Sequence, residues 1–89
     1  MMADSVLLKL VPAAEGHVLH LGGALDRHVV RRLDAAIGKA ALGRGKTLFL
    51  DMSAVDSMDS AVVAALVRAW RQAQAAGSRI TVGPMSHAA

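Results

Sequence analysis

An aspartate and a serine, Asp59 and Ser60, stand side by side where a helical pattern begins. Aspartate is a favoured N-cap residue because its carboxylate accepts hydrogen bonds from free backbone N–H groups and complements the positive end of the helix dipole. A hydroxyl in the first turn lies beside backbone donors that the helix leaves unpaired, where it can contact a partner or carry a phosphate. We therefore expect the functional site at Asp59 and Ser60.

The helix after Ser60 is predicted to have two different faces. At about 100° per residue, one side gathers the residues predicted to be buried, which are Val62, Val63, Leu66, Trp70 and Ala73. The other side is small and apolar near Ser60 and basic further on, with Ala61, Ala64, Ala65, Arg68, Arg71 and Gln72. Alanines let another backbone approach closely and arginines can fix its register, so this side is a candidate docking surface. The alternative interpretation is that the alanines only raise helix propensity.

The other residue types offer little for catalysis or for metal binding. The sequence contains no phosphate-binding glycine loop, no nucleophile elbow and no zinc-binding helix motif. It contains no cysteine, which removes thiol catalysis and disulfides. His17 and His20 are predicted to point to opposite faces of a strand, with His28 on a helix and His87 in the tail. The sequence therefore predicts no enzyme, no bound metal and no cofactor.

Length and composition indicate one small domain over residues 1–89, with its core at about residues 6–84. Hydrophobic residues make up 54% and charged residues only 19%, which indicates a surface shared with a partner or with a second copy. No apolar segment reaches the roughly 18 residues that span a bilayer, and the N-terminus lacks the pattern of a signal peptide. A soluble, cytoplasmic protein is expected.

The net charge of +3 raises the question of nucleic-acid binding. The basic residues do not form one face, however, because the arginines of the first predicted helix lie beside Asp26 and Asp34. The two aromatic side chains, Phe49 and Trp70, are predicted to be buried and therefore unable to stack on bases. The sequence does not favour nucleic acid as a partner, and an anionic protein or membrane surface is the better use of this charge.

Periodicity and turn residues predict the element order ββαβαβ. The first two strands form a hairpin, Asp26 caps the first helix and Gly77 ends the second. Right-handed crossovers then give a mixed sheet in which the last three strands are parallel. The third strand is expected to be covered on both faces and to end at Asp51, before an acidic, serine-bearing loop. The predicted strands are Val6–Val11, Val18–Leu21, Thr47–Leu50 and Arg79–Val82.

Two segments carry patterns that together resemble a known family. Leu21–Asp26 resembles a strand and turn that reads GELD in that family, and Leu50–Ser60 resembles its signature LDLSxVxFxDSSG. Gly77–Val82 is similar to its next strand. The family is the STAS domain, named for sulphate transporters and anti-sigma-factor antagonists. The resemblance implies an α/β, STAS-like ββαβαβ fold that is shortened at the C-terminus, because members usually continue past the fourth strand into another helix, often a strand, and a last helix. A bare part of the sheet would then be completed by a partner or by self-association.

The resemblance also implies a non-enzymatic regulatory module that binds other proteins. Anti-sigma-factor antagonists bind a serine kinase that is itself the anti-sigma factor, and are phosphorylated two places after the signature aspartate. That place is Ala61 here, which leaves Ser60 as the candidate phosphorylation site. The small cytoplasmic STAS subunit of a bacterial phospholipid-transporting ABC system likewise lacks that serine, keeps a hydroxyl directly after the aspartate, and docks on the ATPase subunit.

Two classes of function therefore remain open. The first is a docking module for a protein partner, either a serine-kinase anti-sigma factor or an ABC ATPase. The second is a small nucleotide or lipid-headgroup binder, which needs free N–H groups and an open pocket at the helix start. The predicted partner-binding residues are Asp26, Asp59, Ser60, Ala61, Ala64, Ala65 and Arg68.

Overall fold

The computed structural model describes residues 6–40 and 45–83, which form a four-stranded mixed sheet with two α-helices. The strand order is β1-β2-β3-β4, with β1 antiparallel to β2 and the other neighbours parallel, which confirms the predicted topology. Pro84 and His87 lie outside the described residues. The elements are β1 (Leu7–Ala13), β2 (Gly16–Leu25), a 3-10 turn (Arg27–Val29), α1 (Val30–Lys39), β3 (Thr47–Met58), α2 (Ser60–Ala75) and β4 (Arg79–Val82).

The core lies between one face of the sheet and the two helices. Leu48 and Leu50 of β3 are buried, whereas Phe49 between them is only half-buried. The same alternation in β2 is typical of a sheet with one covered face. The prediction that β3 is covered on both faces is therefore wrong for the described residues, because Phe49 lies on the face of the sheet where they place no helix. The helices contribute the rest of the core, including Leu33 and Ile37.

β2 and β3 are both longer than predicted. β3 continues past Asp51 to Met58, so most of the expected loop is a strand, with Ser53, Asp56 and Ser57 exposed. Gly22 and Gly23 lie inside β2, where the pairing with β3 shifts register twice. A Cβ atom on Gly22 would lie 2.9 Å from the side chain of Ala54, so the close approach of the strands requires glycine there. Backbone pairing between the strands therefore overrides the loop-like local composition.

Asp26 caps the first helical segment as predicted, but what it caps is a 3-10 turn. Its carboxylate accepts from the backbone N–H of His28 at 2.9 Å. The carbonyl of Asp26 also accepts from Val29 N at 2.9 Å, which is the i to i+3 bond of a 3-10 turn. α1 begins only at Val30.

The buried face of α2 differs from the predicted one. Val62 is buried as expected, but Val63 and Trp70 are both 46% exposed, while Ala65, predicted to face outward, is 0% exposed. The buried face is thus rotated by roughly 60° toward the alanine side, using 100° per residue. Small side chains at the contact let α2 pack closely on the sheet, and the larger ones lie at its flank. The other alanines at this contact are Ala69 and Ala73.

Gly77 ends α2 as predicted. Its φ of 79° is the left-handed conformation that glycine adopts without strain. Gly77 N donates to Gln74 O at 3.2 Å, and Ser78 N donates to Ala73 O at 2.9 Å. This pair of bonds satisfies the last carbonyls of the helix and turns the chain into β4.

In the parts of the chain that the structure describes, neither helix is long and apolar enough to cross a membrane.

Candidate functional site

The carboxyl ends of β2 and β3 meet at one corner of the molecule, and both predicted aspartates lie there. Asp26 follows β2 and Asp59 follows β3, because parallel strands place their carboxyl ends at the same edge of a sheet. Asp59 N donates to Leu25 O at 3.1 Å. The Oδ2 atom of Asp59 accepts from Arg27 N at 3.2 Å, so the start of α2 is tied to the 3-10 turn. We call Asp26, Arg27, Asp59 and Ser60 the Asp59 corner.

Asp59 is the N-cap of α2, as predicted. Its Oδ1 atom accepts from Ala61 N at 3.0 Å and from Val62 N at 3.2 Å. Its carbonyl oxygen accepts from Val62 N at 3.1 Å and from Val63 N at 3.2 Å. Donors that an anion would use are therefore already bonded, and the carboxylate would repel an anion. This geometry does not favour the nucleotide or lipid-headgroup hypothesis.

The predicted docking residues fall into two groups. Ser60, Ala64 and Arg68 are exposed and follow one another at intervals of four residues, so they form a line along α2. We call these three residues the Ser60 line. Ala61 is only half-buried and can contribute at the edge of this line. Ala65 belongs to the core, so its assignment to a docking surface is wrong.

The last residue of the Ser60 line already has a partner within the chain. Arg68 Nη2 lies 3.7 Å from Asp34 Oδ2 of α1, and the two side chains are 57% and 52% exposed. An ion pair that is so exposed contributes little to stability, so Arg68 can exchange Asp34 for an acidic group of a partner. The pair stands beside a groove of about 480 Å³ between α1 and α2, which Ile37, Ala69 and Gln72 help to line.

A histidine–aspartate pair on the face of the sheet opposite the helices was missed by the sequence reasoning. His20 Nδ1 lies 2.8 Å from Asp51 Oδ2 across the β2–β3 pairing. Ser53 N donates to the other carboxylate oxygen at 3.0 Å. Hydrogen bonds from the side chain and backbone of Ser53, followed by the bond with His20, lower the pKa of Asp51 below its usual value. The only sequence signal was the His and Asp residue types, because the register that pairs them is a long-range property.

This pair does not form a catalytic triad, because Ser53 contacts the carboxylate and not the imidazole. Within residues 6–40 and 45–83, no group of three or more His, Cys, Asp or Glu side chains could hold a metal ion.

Similarity to known proteins agrees with this geometry. The family model described as "Mlab, STAS domain" matches residues 10–88. Among curated proteins, none matches the chain. The phosphorylated form of SpoIIAA, a cell fate determinant of Bacillus, is 27% identical with a TM-score of 0.66, and the match covers 85% of this chain and 68% of that one. The unphosphorylated form of SpoIIAA, an anti-sigma factor antagonist, is 24% identical with a TM-score of 0.70, over 90% of this chain and 74% of that one.

A further solved structure, Mglu, shares the fold at 23% identity and a TM-score of 0.75. The match covers 85% of this chain but only 19% of the Mglu chain, so this chain spans about a fifth of that protein. The family match extends over most of the sequence and includes the Asp59 corner, β3 and α2. The chain therefore belongs to the STAS domain family, in the group described as Mlab.

Proposed function

We propose that this chain is a non-enzymatic regulatory module that binds a protein partner through the Asp59 corner and the Ser60 line. The observation that supports it is that Asp59 is bonded within the protein while the neighbouring Ser60 is exposed. Both carboxylate oxygens of Asp59 are used inside the protein, where they fix α2 against the 3-10 turn. Ser60 is held next to this rigid point with its side chain exposed. A preorganised surface of this kind binds without a large ordering cost.

The partner that fits best is the ATPase subunit of a bacterial phospholipid-transporting ABC complex. The match to the Mlab group supports this choice. So does Ala61, which lacks the hydroxyl that the resembling antagonists phosphorylate at this position. Constitutive docking does not need that hydroxyl. The chain would then act in lipid transport, in the cytoplasm.

The shape and charge of the Ser60 line define what the partner surface must offer. Ala64 has a small exposed side chain, so a partner backbone or helix can approach α2 closely there. Arg68 adds a guanidinium at the end of the line, which calls for a carboxylate on the partner in place of Asp34. The partner should therefore present a flat surface of small residues to Ser60 and Ala64. It should also present an acidic group to Arg68, about two helical turns from the contact with Ser60.

A second candidate is partner switching with a serine-kinase anti-sigma factor. The similarity to SpoIIAA favours it, because that protein is an anti-sigma factor antagonist and was solved in a phosphorylated form. In this case Ser60 would be the acceptor. A phosphate there would face the carboxylate of Asp59, and the repulsion would release a partner bound at the corner.

The docking surface can be tested by titration calorimetry with each purified candidate partner. Ala64→Arg should weaken binding at least about tenfold, or about 1.4 kcal/mol, because a charged side chain would enter the centre of the interface. Ser60→Asp should weaken it similarly. Ala75→Arg is the matched control, since it places the same side chain on an exposed alanine at the other end of α2.

Equal affinity of the Ala64→Arg and Ala75→Arg variants would refute the docking surface. The two candidate partners are distinguished by incubating the chain with the kinase and ATP and then measuring the mass of the chain. Phosphate that appears on the wild type and disappears in Ser60→Ala supports partner switching. Binding to the ATPase without any modification supports the transporter role.

A further inference from the structure

The flank of α2 that faces β4 carries an exposed apolar surface. Val63, Val67 and Trp70 lie on one side of the helix and are 46%, 45% and 46% exposed. Val82 is on the same face of the sheet as the buried Ile80, but it is 59% exposed. We call Val63, Val67, Trp70 and Val82 the β4 ledge. Single exposed apolar residues are common, but a cluster of this size on a small domain marks a contact surface.

The ledge adjoins an unpaired strand edge. β4 pairs with β3 on one side, where Arg79 N donates to Lys46 O at 2.9 Å and Gly83 N donates to Leu50 O at 2.8 Å. Because N–H and C=O groups alternate along a strand, those of Ile80 and Val82 point away from β3. Among the described residues, no strand pairs with this outer side. These groups can accept another strand.

We propose that a second copy of this chain covers the ledge, through antiparallel pairing of the two β4 strands about a twofold axis. The dimensions of the fold support this occupant. α2 connects the neighbouring strands β3 and β4, contacts β4, and shares the core with buried side chains of β3 such as Leu50 and Val55. Pairing two β4 strands would therefore separate the two α2 helices by about two strand spacings, or roughly 10 Å. That is the distance at which helices pack.

This one arrangement pairs the free backbone groups of β4 and buries the exposed apolar side chains of α2. A continuous sheet uses the outward backbone groups of Ile80 and Val82, and the facing α2 helices bury Val63, Val67 and Trp70. With Thr81 on the axis, Ile80 lies opposite Val82 of the second copy. A self-complementary contact of this kind closes after two copies.

The charges are compatible with this register. Arg79 would lie opposite Gly83 of the second copy, so the two Arg79 residues are separated by roughly 13 Å along the strands. This separation exceeds the screening length of about 8 Å at physiological salt. Neither α2 nor β4 contains an acidic residue, which argues against a contact that relies on salt bridges within this surface.

The surface area that the two copies would bury predicts a dimer of modest affinity. The four exposed side chains offer roughly 300 Å² of apolar surface per copy, and the paired strands bring the total near the lower limit of about 1,000 Å² for specific interfaces. Dimerisation should therefore depend on protein concentration. This inference rests on other residues than the proposed partner surface, because no residue of the Ser60 line belongs to the ledge.

Sedimentation velocity and tryptophan fluorescence test the dimer together. Trp70 is the single tryptophan of the chain, so its emission reports directly on the ledge. Between about 1 µM and 100 µM, the sedimenting mass should double. Over the same range, Trp70 emission should shift to shorter wavelength and acrylamide should quench it less.

Two variants locate the contact. Val82→Pro removes only an outward N–H group, which an edge strand tolerates, and should leave a monomer. Val67→Lys places a charge between the helices and should do the same without touching the sheet. Gln72→Lys adds the same charge on the opposite flank of α2 and should still dimerise. Circular dichroism verifies that each variant is folded.

Three results would overturn the proposal. The first is a wild type that stays monomeric over the whole concentration range, whether or not acrylamide quenches Trp70. The second is a dimer that both Val82→Pro and Val67→Lys leave intact, which would place the contact elsewhere. The third is a doubling of mass without any change in Trp70 emission.

Discussion

Replacing Asp59 by alanine removes three hydrogen bonds at the start of α2. Two of them cap the helix through Ala61 N and Val62 N, and the third ties it to Arg27 N. Loss of the cap should cost about 1 kcal/mol. Loss of the bond to Arg27 should cost about another 1 kcal/mol, because its donor is a backbone group near the surface. We expect the free energy of unfolding to fall by about 2 kcal/mol.

Urea denaturation followed by circular dichroism measures this loss. For a domain of this size the denaturant slope is about 1 kcal/mol per molar urea, so the midpoint should fall by about 2 M. Asp59→Asn keeps an oxygen that can cap the helix, but its amide nitrogen cannot accept from Arg27 N. Its loss should therefore be about 1 kcal/mol, half that of the alanine variant. Amide hydrogen exchange should accelerate at Arg27 in both variants, and at Ala61 and Val62 chiefly in Asp59→Ala.

Asp56→Ala is the control for Asp59→Ala. Asp56 is an exposed aspartate of β3, and its replacement should change the stability by less than about 0.5 kcal/mol. If the Asp59→Ala and Asp56→Ala variants unfold at the same urea concentration, the reasoning about the Asp59 corner is refuted. If Asp59→Asn is as unstable as Asp59→Ala, the bond to Arg27 contributes more to the free energy of unfolding than the helix cap does.

Two further predictions concern the sheet face and the helix face. The pKa of Asp51 is lowered by Ser53 and by His20, so its contribution to stability is complete above the unfolded pKa of about 4 and disappears as the pH falls through the lower, folded value. Asp51→Asn should therefore weaken the fall in stability below about pH 4 in urea titrations, and an unchanged acid limb would contradict this. Val62→Ala should cost about 2 kcal/mol and Val63→Ala less than about 1 kcal/mol, since only Val62 is fully buried. Equal losses in urea denaturation would instead support the helix face predicted from the sequence, which buries both Val62 and Val63.

The features that the sequence predicted correctly are encoded within a few neighbouring residues. Asp59 and Gly77 mark the two ends of α2, because a cap needs only a carboxylate before the first turn or a residue that tolerates positive φ after the last one. The element order follows from apolar periodicity in the same local way. Such signals do not depend on where the rest of the chain lies.

The features that it missed depend on residues distant in sequence. His20 and Asp51 are 31 positions apart and meet only through the β2–β3 register. The continuation of β3 to Met58 likewise depends on its partner strand, since local composition indicates a loop. Local propensity does not determine which residues of two distant strands lie opposite each other, and the pairing of β2 with β3 shifts register twice, so neither feature could be predicted from the sequence.

The face of α2 shows how one physical property can lead to two predictions. In the sequence the alanines favour a surface that lets a partner backbone approach, and Ala65 does permit a close approach, but to the chain's own core. The free energy of burial would instead favour placing Val63 and Trp70 inside, because they remove far more apolar surface from water than alanine does. A helix that buries alanine and exposes tryptophan has two apolar contacts to satisfy. The first is the core of its own domain, and the second is the β4 ledge of the second copy that we propose.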